Sequence, residues 1–215
     1  MNKIIFVGIW ATILNLTGCS GQANEGSKGI LRDSLIEQID RSFDKFKNRP
    51  IHKNLTVQII DTTSNDELLQ VVFDNLTEKM PKDYTKEYER VLTLTKSQQA
   101  IYMTWILEAE VNNGGFNQFY SNSSGQYAKL LPDALKLIGA NKLADLTLNA
   151  NKIYEQENDK ITKHQDGTLE GFSKSYDDNP LNDFDHKFYE LYKTENLQRV
   201  QVDFIRKYKT DFIDR

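Results

Sequence analysis

Side chains able to do acid–base, metal or nucleophilic chemistry are few in this sequence and mostly scattered. The histidines are His52, His164 and His186, and none lies in a His-Glu-x-x-His helix or at the spacing of a ligand pair. Each is expected at a surface or a helix cap. No Gly-x-Ser-x-Gly elbow, P-loop or dinucleotide fingerprint occurs. Glu108 and Glu110 lie close in the chain, but two residues on a helix turn through about 200°, so they cannot act as paired carboxylates. Glu108 is expected to be solvated. Glu110, beside apolar neighbours at a helix end, is expected to be half-buried and hydrogen-bonded to backbone or a tyrosine. The run from Asp177 to Asp185 has the acids and amides of a calcium loop, but Asn182 stands where that loop needs glycine and Phe188 where it needs glutamate. It reads instead as a turn and an acidic helix start. On these residues no catalytic set, no metal site and no cofactor is expected.

The single thiol is more specific. Met1-Asn2-Lys3 precedes an uncharged, largely apolar stretch from Ile4 to Leu16, the layout of an export signal and shorter than the roughly 20 residues a membrane span needs. The stretch ends in Leu16-Thr17-Gly18-Cys19, which resembles the lipobox of bacterial lipoprotein precursors. That resemblance implies cleavage after residue 18 and a diacylglycerol thioether on Cys19. Small residues admit the peptidase, and the thiol supplies the nucleophilic sulfur. Acyl chains contribute about 0.8 kcal/mol per buried methylene, so several of them hold a protein at the membrane. Ser20 to Gly29 are mostly small and polar and read as a tether. Ser20, rather than Asp, follows the Cys, which resembles an outer-membrane sorting pattern. The expected location is the cell envelope, with the lipid as the membrane contact.

Removing 1–18 leaves 197 of the 215 residues, enough for one core. Lys3 is in the removed segment, so 26 basic residues face 31 acidic ones, a net of −5. That balance lacks the basic footprint of nucleic-acid binding. With no second Cys, the domain has no internal disulfide. Residues 155–190 hold ten acids against four lysines. In that stretch Asp177, Asp178, Asp183 and Asp185 are the candidate contacts for a basic protein partner.

The elements that must position these groups read as helices. Leu31, Leu35, Ile39, Phe43 and Phe46 recur at helical spacing ahead of Pro50. Residues 55–61 are β-branched and partly alternating, and a lone short strand there is the one departure that composition allows. Ser64 to Glu67 offer caps and acids to a helix carrying Leu68, Val71, Val72 and Leu76, and another is expected around Tyr84, Tyr88 and Val91. Thr95-Lys96-Ser97-Gln98 matches a capping box. The helix it starts is apolar around most of its girth, with Thr104 and Glu108 on its exposed side, and belongs at the centre of a domain. Asn112-Asn113-Gly114-Gly115 should end it through a glycine at positive φ, leaving Phe116, Phe119 and Tyr120 in a short aromatic turn. Helices are further expected over about 126–138, stopped by Gly139, and over 141–157, with two more capped by Asp183 and Thr194. Helix does not alternate with strand, so the fold class is all-α, a compact single-domain helical bundle over 30–215.

The segment from Glu110 to Asn122, reading Glu-Val-Asn-Asn-Gly-Gly-Phe-Asn-Gln-Phe-Tyr-Ser-Asn, resembles the bacterial DNA-mimic protein C-terminal-domain family. Its hallmark is Asn-Gly-Gly-Phe, then Gln and aromatics, then Asn and a Ser-Gly turn. Looser matches are Ala134-Leu135 with Ile138-Gly139-Ala140, Asp183 to Tyr189, and a closing helix with Phe204 and Ile205. Together they span about 65–213. The resemblance implies an all-helical fold. The founding member is a strongly acidic cytoplasmic dimer that occupies the DNA-binding face of a transcription factor. Mild acidity and a lipobox both argue against DNA mimicry here, and no catalytic residue is carried over. The motif positions Glu110, Asn113, Gly114, Gly115, Phe116, Gln118 and Phe119 have two readings. One is a helix cap with a core aromatic; the other is a polar pocket in which Asn113, Asn117 and Gln118 sit beside Trp105 and Phe119. For the whole chain, the leading expectation is a non-enzymatic envelope lipoprotein that binds a protein partner, in one version an immunity protein. The alternative is an envelope enzyme or small-ligand binder using Glu110, Asn113 and Gln118.

Overall fold

The computed structural model describes the backbone of residues 25–214 and the side chains of 36–214. The signal segment, Cys19 and the tether as far as residue 24 lie outside the described residues. The described residues hold eleven α-helices and no strand, an all-α fold. They fall into two units divided between Ile51 and His52. The first unit carries α1 (Glu25–Lys47), which starts inside the stretch read as a tether. None of its described side chains is buried, and Arg49 lies over the Phe46 ring at 3.8 Å.

The second unit holds the core. Residues 55–61 are not a strand. Thr56 accepts a hydrogen bond from the Ile59 N–H and caps α2 (Val57–Thr62). A β-branched run has no strand to pair with here, and the local cap wins over β propensity. Then come α3 (Asn65–Glu78), a 3₁₀ turn at Tyr84–Lys86 and α4 (Glu87–Leu92).

The long central helix α5 (Lys96–Ser121) starts at the capping box, where Thr95 accepts from the Gln98 N–H and the Gln98 side chain accepts from the Thr95 N–H. Its aromatic and aliphatic residues fill the core, with Trp105 stacked on Phe73 of α3. A 3₁₀ turn at Ser123–Tyr127 leads to α6 (Leu131–Ile138), which Gly139 ends at φ 96°. Next is α7 (Asn141–Gln156), then the short α8 (Asn158–Thr162) and α9 (Leu169–Lys174). The last two are α10 (Asn182–Leu191) and α11 (Leu197–Lys207).

Two expected caps move. Asp183 sits inside the first turn of α10 and Leu181 is its N-cap, while Asn196, not Thr194, caps α11 by accepting from the Arg199 N–H. The chain end is tied back: the Asp214 carboxylate accepts from the Leu55 N–H at 2.8 Å and the Asn75 amide at 3.1 Å, and pairs with Lys79 at 2.6 Å.

Candidate functional site

The Asn-Gly-Gly-Phe segment is a break in α5, where one helix ends at a glycine of positive φ, as expected, and a second follows it across a kink. Gly115 sits at φ 67°, ψ −174°, a region open essentially to glycine alone, and helix resumes behind it. The break cuts helical hydrogen bonds, and residues from far down the chain replace them. Tyr189 donates to the Val111 carbonyl at 2.9 Å and Tyr176 to the Gly114 carbonyl at 2.7 Å. The Phe116 N–H donates to Asp185 Oδ1 at 2.7 Å. Asn117, fully buried, donates to Ser175 at 2.7 Å and accepts from Gln165. Both glycines are required by close approach. A Cβ on Gly115 would stand 2.6 Å from Asp185 Cγ, with Oδ2 nearer still; one on Gly114 would stand 2.8 Å from the Tyr176 hydroxyl.

On the outer side of the break, polar groups form a directed chain. Asn113 donates to Gln118 Oε1 at 2.9 Å, and Gln118 donates to Glu110 Oε2 at 2.7 Å. Asn122 and Ser124 also donate to Glu110, at 2.8 and 3.0 Å. The structure thus brings Glu110, Asn113 and Gln118 together, and Glu110 is half-buried as its position suggested. Asn117 faces Ser175 instead, and Trp105 belongs to the α3 contact, so the pocket imagined beside Trp105 does not gather those residues. Phe116 and Phe119 are fully buried core aromatics. Glu110 thus accepts three hydrogen bonds, from Gln118, Asn122 and Ser124. These groups act on backbone and on one another.

Electrostatics follow from burial. Desolvation pushes the Asp185 carboxyl up to about 6, against the Phe116 N–H that favours its charged form. Burial raises the Tyr176 hydroxyl, opposed by a hydrogen bond with Asn117 and aided by the Asp185 and Glu110 carboxylates. The proposed role of Asp185 as a solvated contact is corrected here: it is turned inward onto the break. Asp177, Asp178 and Asp183 are exposed, and Asp178, with its side chain 92% exposed, pairs with Lys160 at 3.1 Å.

Two residues expected in solvent are also buried. Thr104 and Glu108 have no exposed surface. Glu108 Oε1 accepts from the Tyr192 hydroxyl and from Gln198 at 2.9 Å, and burial pushes this carboxyl up to about 7, opposed by the Gln198 bond. Sequence reading missed Glu108, Tyr176, Tyr189 and the inward use of Asp185. The available signal for Glu108 was Trp105 and Val111, large apolar residues three positions to either side of it on the helix.

Among the described residues no three His, Cys, Asp or Glu side chains gather as metal ligands, and no helix is long and apolar enough to cross a membrane. A family model described as DMP19-like protein matches residues 92–208. The chain belongs to that family. The matched span runs from the end of α4 through α11, so it contains the break together with Tyr176, Asp185 and Tyr189, which close it. Neither a search of curated proteins nor one of solved structures gave a match.

Proposed function

We propose that this chain is a lipid-anchored protein of the bacterial envelope whose helical domain docks a protein with a basic face, without doing catalysis. One version is an immunity protein held at the membrane against an incoming toxin. The observation that carries the reading is the surface of residues 155–190. Ten acids against four lysines lie in this segment; Asp177, Asp178 and Asp183 point outward, and Leu169 is 90% exposed between Thr168 and Glu170. Exposed like charge with an unburied leucine fits a cationic partner, whose approach it would steer. The anchor rests on Leu16-Thr17-Gly18-Cys19, and an exported chain with a net charge of −5 has no attraction for nucleic-acid phosphate. The alternative, an enzyme or ligand binder working through Glu110, Asn113 and Gln118, has to open a network in which each of these side chains is already engaged.

The test is cross-linking in intact cells and mass spectrometry, comparing the natural chain with Asp177→Asn/Asp178→Asn/Asp183→Asn. Asp185 is left alone because it holds the break. Asn suits position 178, where φ is 52°, since it tolerates that backbone. Capture of one basic partner should fall, and the purified pair should associate more slowly, with a weaker salt dependence. Unchanged association by the triple variant would refute the role of this face.

A further inference from the structure

The buried polar groups between α5 and α11 leave one hydrogen unaccounted for. Glu108 and Thr104 lie one turn apart on α5, and Gln198 and Gln201 one turn apart on α11. They meet as two rungs. In the first, Gln198 donates to Glu108 Oε1 at 2.9 Å, and the Tyr192 hydroxyl donates to the same oxygen. In the second, Gln201 Nε2 donates to Thr104 Oγ1 at 2.9 Å, and that hydroxyl donates onward to the Ala100 carbonyl at 2.7 Å. Glu108, Thr104 and Gln201 have no exposed surface. Two acceptor atoms then remain buried without a donor among the described residues, Glu108 Oε2 and Gln201 Oε1. A buried acceptor left unsatisfied is costly, and two on adjoining rungs ask for a shared donor. An ionised carboxylate has no hydrogen to give. A carboxylic acid has one.

We propose that Glu108 is held as a neutral acid whose proton bridges Oε2 to the Gln201 amide oxygen, so that the α5–α11 contact is a latch that ionisation opens. Releasing the proton to solvent leaves a buried anion facing an amide oxygen. The second rung then loses its bridge, and α11 is left to its buried Leu197, Val202, Phe204 and Ile205. Loosening α11 also frees its far end, where Arg206 donates to the Ile60 and Thr63 carbonyls and ties down α2.

Charged groups on the neighbouring helices are engaged elsewhere. On α10, Asp185 faces Phe116 and Tyr189 faces Val111, while Asp183, His186, Lys187 and Glu190 are exposed. On α11, Arg199 and Asp203 approach each other in solvent at 3.9 Å, and Lys207 is exposed. Asp74 of α3 accepts from Gln70, and Glu87 of α4 from Tyr127. On α3 Asp66, Glu67 and Glu78, on α4 Glu89 and Arg90, and on α6 Asp133 and Lys136, are exposed. Tyr192 is the titratable partner that touches Glu108.

The sign follows from linkage. The folded chain keeps the Glu108 proton to about 7, whereas an ordinary glutamate releases it near 4.5, so stability declines as pH rises between these values and then levels off. The experiment is an infrared titration of the full chain in detergent, with Glu108→Gln as reference. Amide hydrogen exchange of α11 is followed in parallel, corrected for the intrinsic effect of pH. The natural chain should show a protonated carboxyl band in acid that Glu108→Gln lacks and that fades through neutral pH. Exchange in α11 should quicken by roughly an order of magnitude between about pH 5 and pH 9. In Glu108→Gln, whose amide donates at every pH, that component should vanish while the part due to Asp185 stays. A Glu108 band that is carboxylate at acid pH would mean a turned Gln201 amide or a trapped water supplies the hydrogen, and would overturn the proposal. Should Glu108→Gln fail to fold, the natural chain's titration decides alone at about pH 6.5, where ordinary carboxyls are ionised: absence of any protonated carboxyl band there refutes it.

Discussion

Replacing Gly115 with alanine tests the break in α5 most directly. The added methyl meets two obstacles. The first is backbone: at φ 67°, ψ −174° a residue with a Cβ is strained by about 1–3 kcal/mol. The second is Asp185, whose Cγ and Oδ1 would lie 2.6 and 2.7 Å from the new carbon. The carboxylate has to withdraw, and with it goes the 2.7 Å bond from the Phe116 N–H. A hydrogen bond to a charged group contributes about 1.5–3 kcal/mol, and this donor sits beside a fully buried ring. The expected destabilisation is about 2.5–6 kcal/mol, a large part of the roughly 5–15 kcal/mol of a whole domain. Urea unfolding of the natural chain, Gly115→Ala, Asp185→Ala and the double variant separates the two obstacles. With Asp185 already gone, Gly115→Ala should cost the backbone part only, giving a coupling of about 1.5–3 kcal/mol. A single-variant loss below about 1 kcal/mol, or additive effects in the double variant, would refute the account of how the break is held.

Two further outcomes are expected. Cys19→Ser should abolish incorporation of labelled palmitate and move the chain out of the membrane fraction; label retained in that variant would remove the lipoprotein reading. Thr95→Ala, which deletes one half of the capping box, should cost about 1 kcal/mol in urea unfolding, and an unchanged midpoint would show that the box does not contribute.

The parts of the fold that were legible in the sequence are those whose partners lie close by. Thr95 and Gln98 are three residues apart, so their reciprocal bonds are written in four consecutive letters. Gly139, at the end of a strongly sided helix, needed only its own φ of 96°. The break was half legible. A Gly-Gly pair announces unusual backbone, but that helix resumes behind it depends on Asp185, Tyr176 and Tyr189, at separations of 69, 62 and 78 residues. Glu108 was misread for the same reason. A carboxylate on an apolar helix is assigned to solvent by default, and its actual partners, Tyr192 and Gln198, stand 84 and 90 residues away. At 55–61 the β-branched residues outweighed Thr56 in the reading, yet in the chain a cap needs one neighbour and a strand needs another strand. The Gly-Gly segment was therefore legible as a place of unusual backbone, and the geometry around it was not.

The same long separations set an order on folding. The first half of α5 can form from its own cap with nothing but local contacts. The second half cannot, because the Phe116 N–H, the Val111 carbonyl and the Gly114 carbonyl are all satisfied from residues beyond 175. Bringing Asp185 across 69 residues costs on the order of 4 kcal/mol of chain entropy before any contact is rewarded. During synthesis the aromatic segment behind the glycines is therefore left without its clasp until nearly the whole domain has emerged. A chain that stops short of α10 lacks Phe184 and Phe188, the rings that pack against Phe116, and so leaves that apolar side chain for a quality-control protease or chaperone to find.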